Sequence, residues 1–511
     1  MAVVLVRSAI LSGLDVQRIG VEVDVRRGLP NFTIVGLAQD AVRESRDRVI
    51  AAVKNSGFEM PAVRVTVNLT PVTMKKASSL LDLPIAVGLL TASAQIPPPP
   101  VDSVFLGELS LDGSLRPASG ILALLDGLRD ASTVILPSAN LEDASFFRSI
   151  LKKGACVRGL ATLSELSAPV DNLALPRAGR LRRTKGVPRS GPDFSDVRSN
   201  HLARRAAEIS AAGGHHLLMM GPPGTGKSML AHRLPSILPC LSPQESLEVS
   251  KIYGVAGMLP DSEWVRDRPF RSPHHTLSDV ALIGGGPQGL PGEISLAHRG
   301  VLFLDEFPEF PRSCLESLRQ PLEDRRVQIS RAATKVSYPA DFILVCALNP
   351  CPCGYARHPR RACRCTMADI RRYFNKLSGP ILNRIDLQVE LPPEAPDLVL
   401  SGPAGESSAD ILRRVLSARA IQRRRYGTDL RTNAHISGSD LRKFCPLSPE
   451  CATVLQGALR KMNLSPRSLE KIIKVSRTIA DLAAGEPEIL PDHVLESIRF
   501  RSMDLLTSEA V

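Results

Sequence analysis

The sequence predicts an α/β protein with at least two domains, followed by a helical C-terminal region. The chain has 511 residues, several times the size of a typical single domain. Residues 21–25, VEVDV, alternate between apolar and acidic side chains, as a half-buried strand does. Residues 410–505 instead show amphipathic helical patterns that end at glycines. Together these patterns exclude a single small fold.

The composition favours a folded chain with an anionic partner. Lysine and arginine number 64 against 52 acidic residues, a net charge of +12. Apolar residues make up 43%, which argues against disorder. The most apolar stretch, 80–90, is too short to span a bilayer, so we expect no membrane partner. The first residues lack the basic start of a signal peptide, which predicts a cytoplasmic protein with ten reduced or metal-bound cysteines.

Residues 1–172 are predicted to form a mixed α/β domain. Four consecutive prolines at 97–100 must be extended loop, and Asp112-Gly113 marks a hairpin turn. Strand or helix candidates in this domain are 21–25, 32–36, 41–58, 64–69 and 81–93.

A basic linker is predicted at 173–195. Its stretch 176–190 has six basic residues and no acidic one. This composition fits a solvated tether between domains, and it also fits a segment that contacts nucleic-acid phosphate. A second α/β unit is expected at 196–395, and the helical region at 396–511.

Residues 221–228, GPPGTGKS, match the phosphate-loop pattern G-x-x-x-x-G-K-[ST]. An apolar strand candidate precedes the loop and a helix candidate follows it, so that backbone N–H groups and the helix N-terminus can face phosphate. Lys227 would reach the β- and γ-phosphate oxygens, and Ser228 would bind Mg²⁺. The other residues expected around ATP are Gly221, Pro222, Pro223, Gly224, Thr225 and Gly226.

Two further strand candidates end in polar residues that suit the same site. VLFLDE, at 301–306, places Asp305 where it would hold Mg²⁺ and Glu306 where it would polarise the attacking water. The strand candidate at 341–350 ends in Asn349, whose amide could orient water against the γ-phosphate. An ordinary asparagine turn before Pro350 is the alternative.

The glycine loop, the Asp-Glu strand and the terminal asparagine, in this order, resemble an AAA+ ATPase. The phrases LNPCPCG, GPILNRIDL and SPRSLEKIIKVSRTIADL resemble the magnesium-chelatase-like ATPases of the YifB/ComM type, and LPNFTIVGLAQDAVRESRDRV resembles their amino domain. The resemblance covers nearly the whole chain. It implies an ATP- and Mg²⁺-dependent P-loop core with a helical lid, preceded by a Lon-protease-like (ribosomal S5 domain 2-like) α/β domain.

Two arginines are assigned through this resemblance. Arg384, in NRIDL, matches the arginine that completes a neighbouring subunit's active site, which implies a homo-oligomeric ring of six subunits. Arg467, in SPRS, matches the second sensor arginine, which contacts the γ-phosphate from the lid. A surface Arg384–Asp386 pair and a solvated Arg467 are the alternatives.

The resemblance also suggests single-stranded or branched DNA as the partner. The segment 325–339 alternates as a β-hairpin, and in the related helicases this hairpin projects into the ring channel. An insert at 271–290 would supply a second channel element with Arg271, His274 and His275. Six copies would form a cationic funnel for a phosphate backbone, although for any one arginine taken singly a solvated charge is the favoured interpretation. The basic residues of the hairpin are Arg325, Arg326, Arg331 and Lys335.

Four cysteines lie within fifteen residues, in a C-x-C…C-x-C pattern. Four thiols are the ligand set of a structural tetrahedral Zn²⁺, while free thiols or a labile disulfide are the alternative. A metal would hold a basic loop beside Asn349. The cysteines are Cys351, Cys353, Cys363 and Cys365, and the loop arginines are Arg357, Arg360, Arg361 and Arg364.

The chain departs from its relatives in two places. A Lon-type protease needs a serine and a lysine, but Leu122 occupies the lysine position, so Ser78 and Ser79 lack a base and the amino domain is predicted to be non-proteolytic. Ser199-Asn200 stands where relatives carry Gly-Gln, which affects the adenine pocket.

Two functions are consistent with the sequence. The leading hypothesis is an ATP-driven ring motor on DNA, of the helicase or branch-migration type that serves recombination and natural transformation. The alternative is a chelatase-like or protein-remodelling ATPase with a protein client.

Overall fold

The computed structural model describes residues 3–36, 40–71, 78–150, 156–176, 191–198, 200–259, 264–286, 289–331, 334–356, 358–393, 404–462, 464–483 and 488–501. Residues 177–190 of the predicted linker, Ser199 and Arg357 lie outside this set. The chain divides into two compact units. The first comprises Met1–Lys185, Ser246–Val265 and Ser330–Val336, and the second Gly186–Glu245, Arg266–Ile329 and Ser337–Val511.

The first unit is a mixed α/β unit, as predicted, built on a seven-stranded sheet in the order β3-β4-β2-β1-β5-β8-β9. The predicted VEVDV strand lies within β2, and the Asp112-Gly113 turn joins the two-stranded β6-β7 hairpin. The strands are β1 (Val4–Ser12), β2 (Asp15–Arg26), β3 (Asn31–Val35), β4 (Arg64–Thr70), β5 (Ser103–Phe105), β6 (Glu108–Leu109), β7 (Leu115–Arg116), β8 (Thr133–Pro137) and β9 (Cys156–Leu160). The helices are α1 (Asp40–Asn55), α2 (Asp82–Ala92), α3 (Ile121–Gly127) and α4 (Leu141–Ile150).

Helix α2 is the centre of the core of this unit. A Cβ atom on Gly88 would lie 2.5 Å from Cγ2 of Val23, so the glycine allows the helix to lie directly on β2. Asp82, at the start of α2, is fully buried and accepts a 2.8 Å hydrogen bond from Nε of Arg48. Burial raises the pKa of Asp82, and the bond from Arg48 opposes that shift.

Leu122 occupies the position at which a Lon-type protease would carry its lysine, and it belongs to the apolar core. Leu122, in α3, is 2% exposed and packs with other buried aliphatic residues. Ser79 donates a hydrogen bond to Glu108 Oε2, and the Ser78 hydroxyl accepts one from Leu80 N. The two serines therefore have structural partners.

The second unit contains a five-stranded sheet in the order β11-β14-β17-β10-β18, in which every neighbouring pair is parallel. Elsewhere in the chain, β12 pairs with β13 and β15 with β16 in two-stranded sheets, and the β15-β16 hairpin includes Ser330–Val336 of the first unit. The strands that follow β9 along the chain are β10 (Leu217–Met220), β11 (Phe270–Arg271), β12 (Gly284–Gly285), β13 (Leu290–Pro291), β14 (Val301–Leu304), β15 (Arg326–Arg331), β16 (Thr334–Pro339), β17 (Ile343–Leu348) and β18 (Leu387–Glu390).

The helices that follow α4 begin with α5, and the last five form the predicted helical C-terminal region. They are α5 (His201–Gly213), α6 (Lys227–Arg233), α7 (Pro243–Val255), α8 (Asp279–Ile283), α9 (Glu293–Leu296), α10 (Arg312–Ser317), α11 (Arg319–Asp324), α12 (Met367–Phe374), α13 (Gly379–Leu382), α14 (Ser408–Tyr426), α15 (Gly438–Phe444), α16 (Pro449–Met462), α17 (Pro466–Leu482) and α18 (Pro491–Arg499). No described helix is both long and apolar enough to cross a bilayer.

The strand order determines where the polar residues gather. Strand β17 lies between β10 and β14, and all three run in the same direction. Their carboxyl ends therefore meet at one edge of the sheet, which is where ligands bind in such sheets. The predicted phosphate loop, Asp-Glu pair and terminal asparagine leave the sheet at this edge.

Candidate active site

The phosphate loop follows β10 and leads into α6. Gly224 and Gly226 have φ angles of +82° and +84°, a left-handed conformation that explains why glycine is needed at both positions. The Thr225 hydroxyl donates a 2.9 Å hydrogen bond to the Pro222 carbonyl and closes the loop on itself. The loop is thus held in its turn conformation by its own backbone and the Thr225 hydroxyl.

Lys227 points back into the loop. Its Nζ donates to the carbonyls of Gly221 and Pro222 at 2.6 and 2.9 Å, and to Oδ1 of Asn349 at 3.2 Å. Burial lowers the pKa of Lys227, and the charge of Asp305 opposes that shift. The ammonium group is desolvated and held by weak neutral acceptors, which phosphate oxygens would replace with a stronger charged partner.

Ser228 and Asp305, the residues predicted to bind magnesium, contact each other. The Ser228 hydroxyl donates a 2.7 Å hydrogen bond to Oδ2 of Asp305. A hydroxyl and a carboxylate are hard oxygen ligands, and Mg²⁺ binds through one or two such groups together with substrate phosphates. The donor set therefore fits Mg²⁺, which Ser228 and Asp305 would hold.

Glu306 directly follows Asp305, just after the end of β14, and has a left-handed φ of +51°. Its side chain is 54% exposed, and its Oε2 lies 3.2 Å from Nδ1 of His275. The rings of His275 and His274 lie against each other, tilted by 33°, with their centroids 4.1 Å apart. The sequence assigned His275 to a channel element, whereas the structure places it against the predicted catalytic carboxylate.

Two asparagines hold the loop from outside. Asn349 follows β17, and its Oδ1 accepts a 3.2 Å hydrogen bond from Nζ of Lys227, so its amide lies at the phosphate loop. Asn200 has a left-handed φ of +59°, and its Nδ2 donates a 3.4 Å hydrogen bond to the Thr225 carbonyl. Asn200, one of the two residues where the chain departs from its relatives, thus contacts the phosphate loop.

The two predicted arginines lie together at a third residue, Glu323. Arg384 is largely buried, donates to the Pro380 carbonyl at 2.6 Å and pairs with Glu323. Arg467 begins α17, is 67% exposed, and its Nη2 lies 3.7 Å from the same carboxylate. Within the described residues, both guanidinium groups face Glu323 rather than the side chains of the chain's own phosphate loop.

A buried ion pair connects the same two segments. Nζ of Lys471, one turn after Arg467 in α17, lies 3.1 Å from Oδ1 of Asp386. Oδ2 of Asp386 also accepts a 3.1 Å hydrogen bond from His216 N. Burial lowers the pKa of Lys471 to about 8, while the carboxylate of Asp386 opposes the shift. Arg384 and Asp386 therefore have separate partners, which is not the surface pair that was the alternative interpretation of Arg384.

The hairpin β15-β16 exposes part of its basic side. Val327 and Ile329 are buried while Arg326 is exposed, and in β16 Val336 is buried while Lys335 is exposed. Arg331 ends β15, but its side chain is outside the described set. The insert contacts the hairpin, because Tyr338 donates a 2.8 Å hydrogen bond to the Gly289 carbonyl.

Two basic residues expected to face DNA have internal partners instead. Arg271 forms two 2.6 Å hydrogen bonds with the carboxylate of Glu293. Arg325 precedes the hairpin rather than lying on it, 3.4 Å from Asp341, and donates a 3.1 Å hydrogen bond to the Ala434 carbonyl. Each guanidinium group is already held by partners within the protein, so we withdraw both from the expected DNA contacts.

The four predicted cysteines converge. Their sulfur atoms all lie within 4.8 Å of one another, so the group could hold a metal ion such as zinc. Cys351 is buried, and the other three are partly buried.

The sequence did not predict four of these contacts: His275 with Glu306, Glu323 with the two arginines, Lys471 with Asp386, and Asn200 with the phosphate loop. None of these carries a local motif. Only the contacts with distant parts of the chain identify them.

Comparisons with known proteins match three successive parts of the chain. A family model described as magnesium chelatase, subunit ChlI, matches residues 193–398. Models described as subunit ChlI of Mg-chelatase and as the ChlI C-terminal region match residues 21–140 and 405–501. The first and third of these include the phosphate loop and both predicted arginines.

Sequence similarity to two relatives extends over nearly the full length of the chain. The chain is 40% identical to the uncharacterised protein YifB of Escherichia coli K12 over 511 residues, covering 99% of this chain and 98% of YifB. It is 40% identical to the competence protein ComM of Haemophilus influenzae over 511 residues, covering 98% of each. A shorter similarity, 22% over 239 residues, links 43% of this chain to 27% of the DNA replication licensing factor mcm-6 of Caenorhabditis briggsae. The chain belongs to the YifB/ComM family of magnesium-chelatase-like AAA+ ATPases.

Proposed function

We propose that this protein hydrolyses ATP and uses the energy to move along DNA as a homo-oligomeric ring, acting as a helicase or branch-migration motor in the cytoplasm. One observation carries the ATPase part: the ends of β10, β14 and β17 bring Lys227, the Ser228–Asp305 pair and Asn349 together. These are the groups that phosphoryl transfer to water requires.

The roles of the side chains follow from their positions. Lys227 exchanges its carbonyl partners for the β- and γ-phosphate oxygens of ATP, and the loop's backbone N–H groups surround the phosphates. Ser228 and Asp305 would hold Mg²⁺, which would neutralise negative charge on the phosphates when bound. Glu306 accepts the proton of the attacking water, and Asn349 orients that water.

A water in line with the γ-phosphate needs a correctly oriented base. Glu306 is mostly exposed, and its only described ion-pair partner is His275 at 3.2 Å. His275 is therefore a positioning residue for Glu306 in this proposal. Because it belongs to the insert that contacts the hairpin, a displaced hairpin can reorient the base.

Assembly into a ring completes the site. Arg384 and Arg467 face Glu323 rather than their own phosphate loop, which suits a role in the site of the adjacent subunit. An arginine supplied this way stabilises the charge of the transition state. We infer a hexamer from the resemblance to ring-forming relatives.

DNA is the proposed client because the hairpin exposes cationic residues. Arg326 and Lys335 are exposed in β15 and β16, and no ion pair is described for either. Exposed cations without fixed carboxylate partners can exchange counterions for phosphates. The names of two relatives, a competence protein and a replication licensing factor, point the same way.

A protein client is the second candidate. All three family models that match the chain are described as magnesium chelatase ChlI, a subunit name that makes no reference to DNA. The nucleotide site serves a chelatase-like or protein-remodelling ATPase equally well. The two candidate functions therefore differ only in the molecule acted on, which is DNA in the first and a protein in the second.

The decisive experiment measures ATP turnover by the full chain without DNA, with single-stranded DNA and with a forked duplex, at 50 and at about 200 mM salt. A DNA motor is stimulated by one of the DNAs, and the stimulation falls at the higher salt. ATPase activity without stimulation or salt-dependent DNA binding would favour the protein client. Unwinding of the forked duplex tests the motor directly.

A further inference from the structure

We propose that Cys351, Cys353, Cys363 and Cys365 hold one structural Zn²⁺ ion, and that this metal site fixes Asn349 and Pro223 in the positions that ATP hydrolysis requires. The metal part stands on the cysteine geometry alone. The second part rests on the proposed ATPase function.

The sulfur positions fit a tetrahedral zinc site. Sγ of Cys351 lies 3.3 Å from that of Cys353 and 3.6 Å from that of Cys363, and Cys353 to Cys363 is also 3.6 Å. A Zn–S bond of about 2.3 Å places tetrahedral sulfurs about 3.8 Å apart. A disulfide would instead need a separation of about 2.05 Å. All four are free cysteines, and these three separations lie near the tetrahedral value and far from that of a disulfide.

Backbone N–H groups contact two of the sulfur atoms. The N–H of Ala356 donates a 3.2 Å hydrogen bond to Sγ of Cys351, and the N–H of Cys365 donates one of 3.4 Å to Sγ of Cys363. Such outer contacts orient the ligands of a metal. Among the described residues, the group that could hold a metal consists of four cysteine sulfurs. Four cysteines are the ligand set of closed structural zinc sites, which leave no position for a substrate.

The cluster joins the end of β17 to the start of α12. Cys351 comes two residues after Asn349, and Thr366, next to Cys365, caps α12 by accepting a 3.2 Å hydrogen bond from Asp369 N. Helix α12 then returns to the site, because its buried Tyr373 accepts a 3.3 Å hydrogen bond from Asn349 N. Asn349 would then be fixed by two restraints: the metal bound to Cys351 on one side and the hydrogen bond to Tyr373 on the other.

The cluster also contacts the phosphate loop. Gly354, between the two cysteine pairs, has a φ of +84°, and a Cβ atom there would lie 2.7 Å from Cδ of Pro223. The turn inside the metal site therefore packs directly on the loop that binds ATP. Loss of the metal would free this turn and remove support from Pro223 and Asn349 together.

The first measurement is elemental analysis of the full chain purified without chelators. We expect about one zinc ion per chain, and a content below about 0.2 would overturn the metal site. The double substitution Cys363→Ser/Cys365→Ser should remove the zinc, whereas Cys240→Ser, at an exposed cysteine outside the cluster, should retain it. A double variant with unchanged zinc would also overturn the assignment. These readouts do not depend on ATPase activity.

The second measurement tests the link to the active site. The double variant should lose at least about tenfold in kcat, while its affinity for ATP changes less. Gly354→Ala keeps all four ligands, so it should retain its zinc and still lower kcat through the contact with Pro223. This variant also decides the question if the double variant fails to fold. Wild-type kcat in Gly354→Ala, or in a folded, zinc-free double variant, would overturn the link while leaving the metal site in place.

Discussion

Arg384 and Arg467 meet at the same carboxylate oxygen, Oε1 of Glu323. A second link lies behind the first, since Lys471 of α17 pairs with Asp386 at 3.1 Å, two residues after Arg384. Two contacts therefore connect the start of α17 to the turn that carries Arg384. The two arginines form one unit, and this arrangement determines how they can serve an active site.

Mixing variants tests whether Arg384 acts on a neighbouring subunit. Arg384→Ala should still assemble and bind ATP, but turnover should fall by about 10³-fold or more, because the charge of the transition state loses its partner. Lys227→Ala should lose ATP binding while keeping Arg384 intact. ATPase activity measured over a series of mixing ratios should exceed the sum of the separate variants. Purely additive activity would contradict action across the interface.

A second mixture distinguishes the position at which Arg467 acts. If both arginines of one chain serve the same neighbour, every interface in a mixture of Arg384→Ala and Arg467→Ala lacks one of them, and no activity returns. If Arg467 instead served its own chain's site, some interfaces would be complete and activity would recover. The shared contact with Glu323 predicts no recovery. The mixture of Arg384→Ala with Lys227→Ala is the positive control.

Glu306→Gln should separate ATP binding from hydrolysis. The amide keeps the shape of the side chain but cannot accept the proton of water, so kcat should fall by about 10²- to 10⁴-fold. Affinity for ATP should be retained, because Lys227, Ser228 and Asp305 are unchanged. Glu309→Gln, three residues later at an exposed site paired with Lys376, is the matched control. Turnover close to wild type in Glu306→Gln would assign the base to another residue.

The sequence predicted the elements of the site better than the contacts between them. The phosphate loop, β14 and β17 were recognisable because each combines an apolar strand with polar residues directly after it. The charges were harder to assign. Arg271 has the same local pattern as an exposed hairpin arginine, but Glu293 neutralises it, and sequence spacing contains no information on that approach. The same reason hid the contact of His275 with Glu306.

Stability should fall on mild acidification because of His216. Its Nδ1 accepts a 3.0 Å hydrogen bond from Leu344 N, and burial lowers its pKa from 6.5 to about 4. The folded state keeps the ring neutral while the unfolded chain takes up a proton below pH 6.5, so the free energy of unfolding decreases from about pH 6.5 to 4.

The variant His216→Asn tests this contribution. Asparagine keeps an oxygen acceptor for Leu344 but does not titrate. Between pH 7 and 5 the wild type should lose about 2 kcal/mol more than the variant in denaturant unfolding. Equal losses would show that His216 titrates normally. Other groups titrate in both proteins, so the difference between the two reports on His216.

The exposed hairpin cations should determine the salt dependence of DNA binding. Arg326→Ala/Lys335→Ala removes two exposed charges and leaves the buried Val327 and Val336 in place, so the hairpin should still fold. Basal ATPase activity should stay unchanged, while stimulation by single-stranded DNA should be lost. In fluorescence anisotropy over a salt series, each lost phosphate contact should reduce the slope of log K against log salt by about 0.7. Lys461→Ala, at an exposed lysine of α16, should keep the wild-type slope. A wild-type slope in the double variant would show that other residues bind the backbone, because counterion release counts the phosphates a protein neutralises wherever they lie.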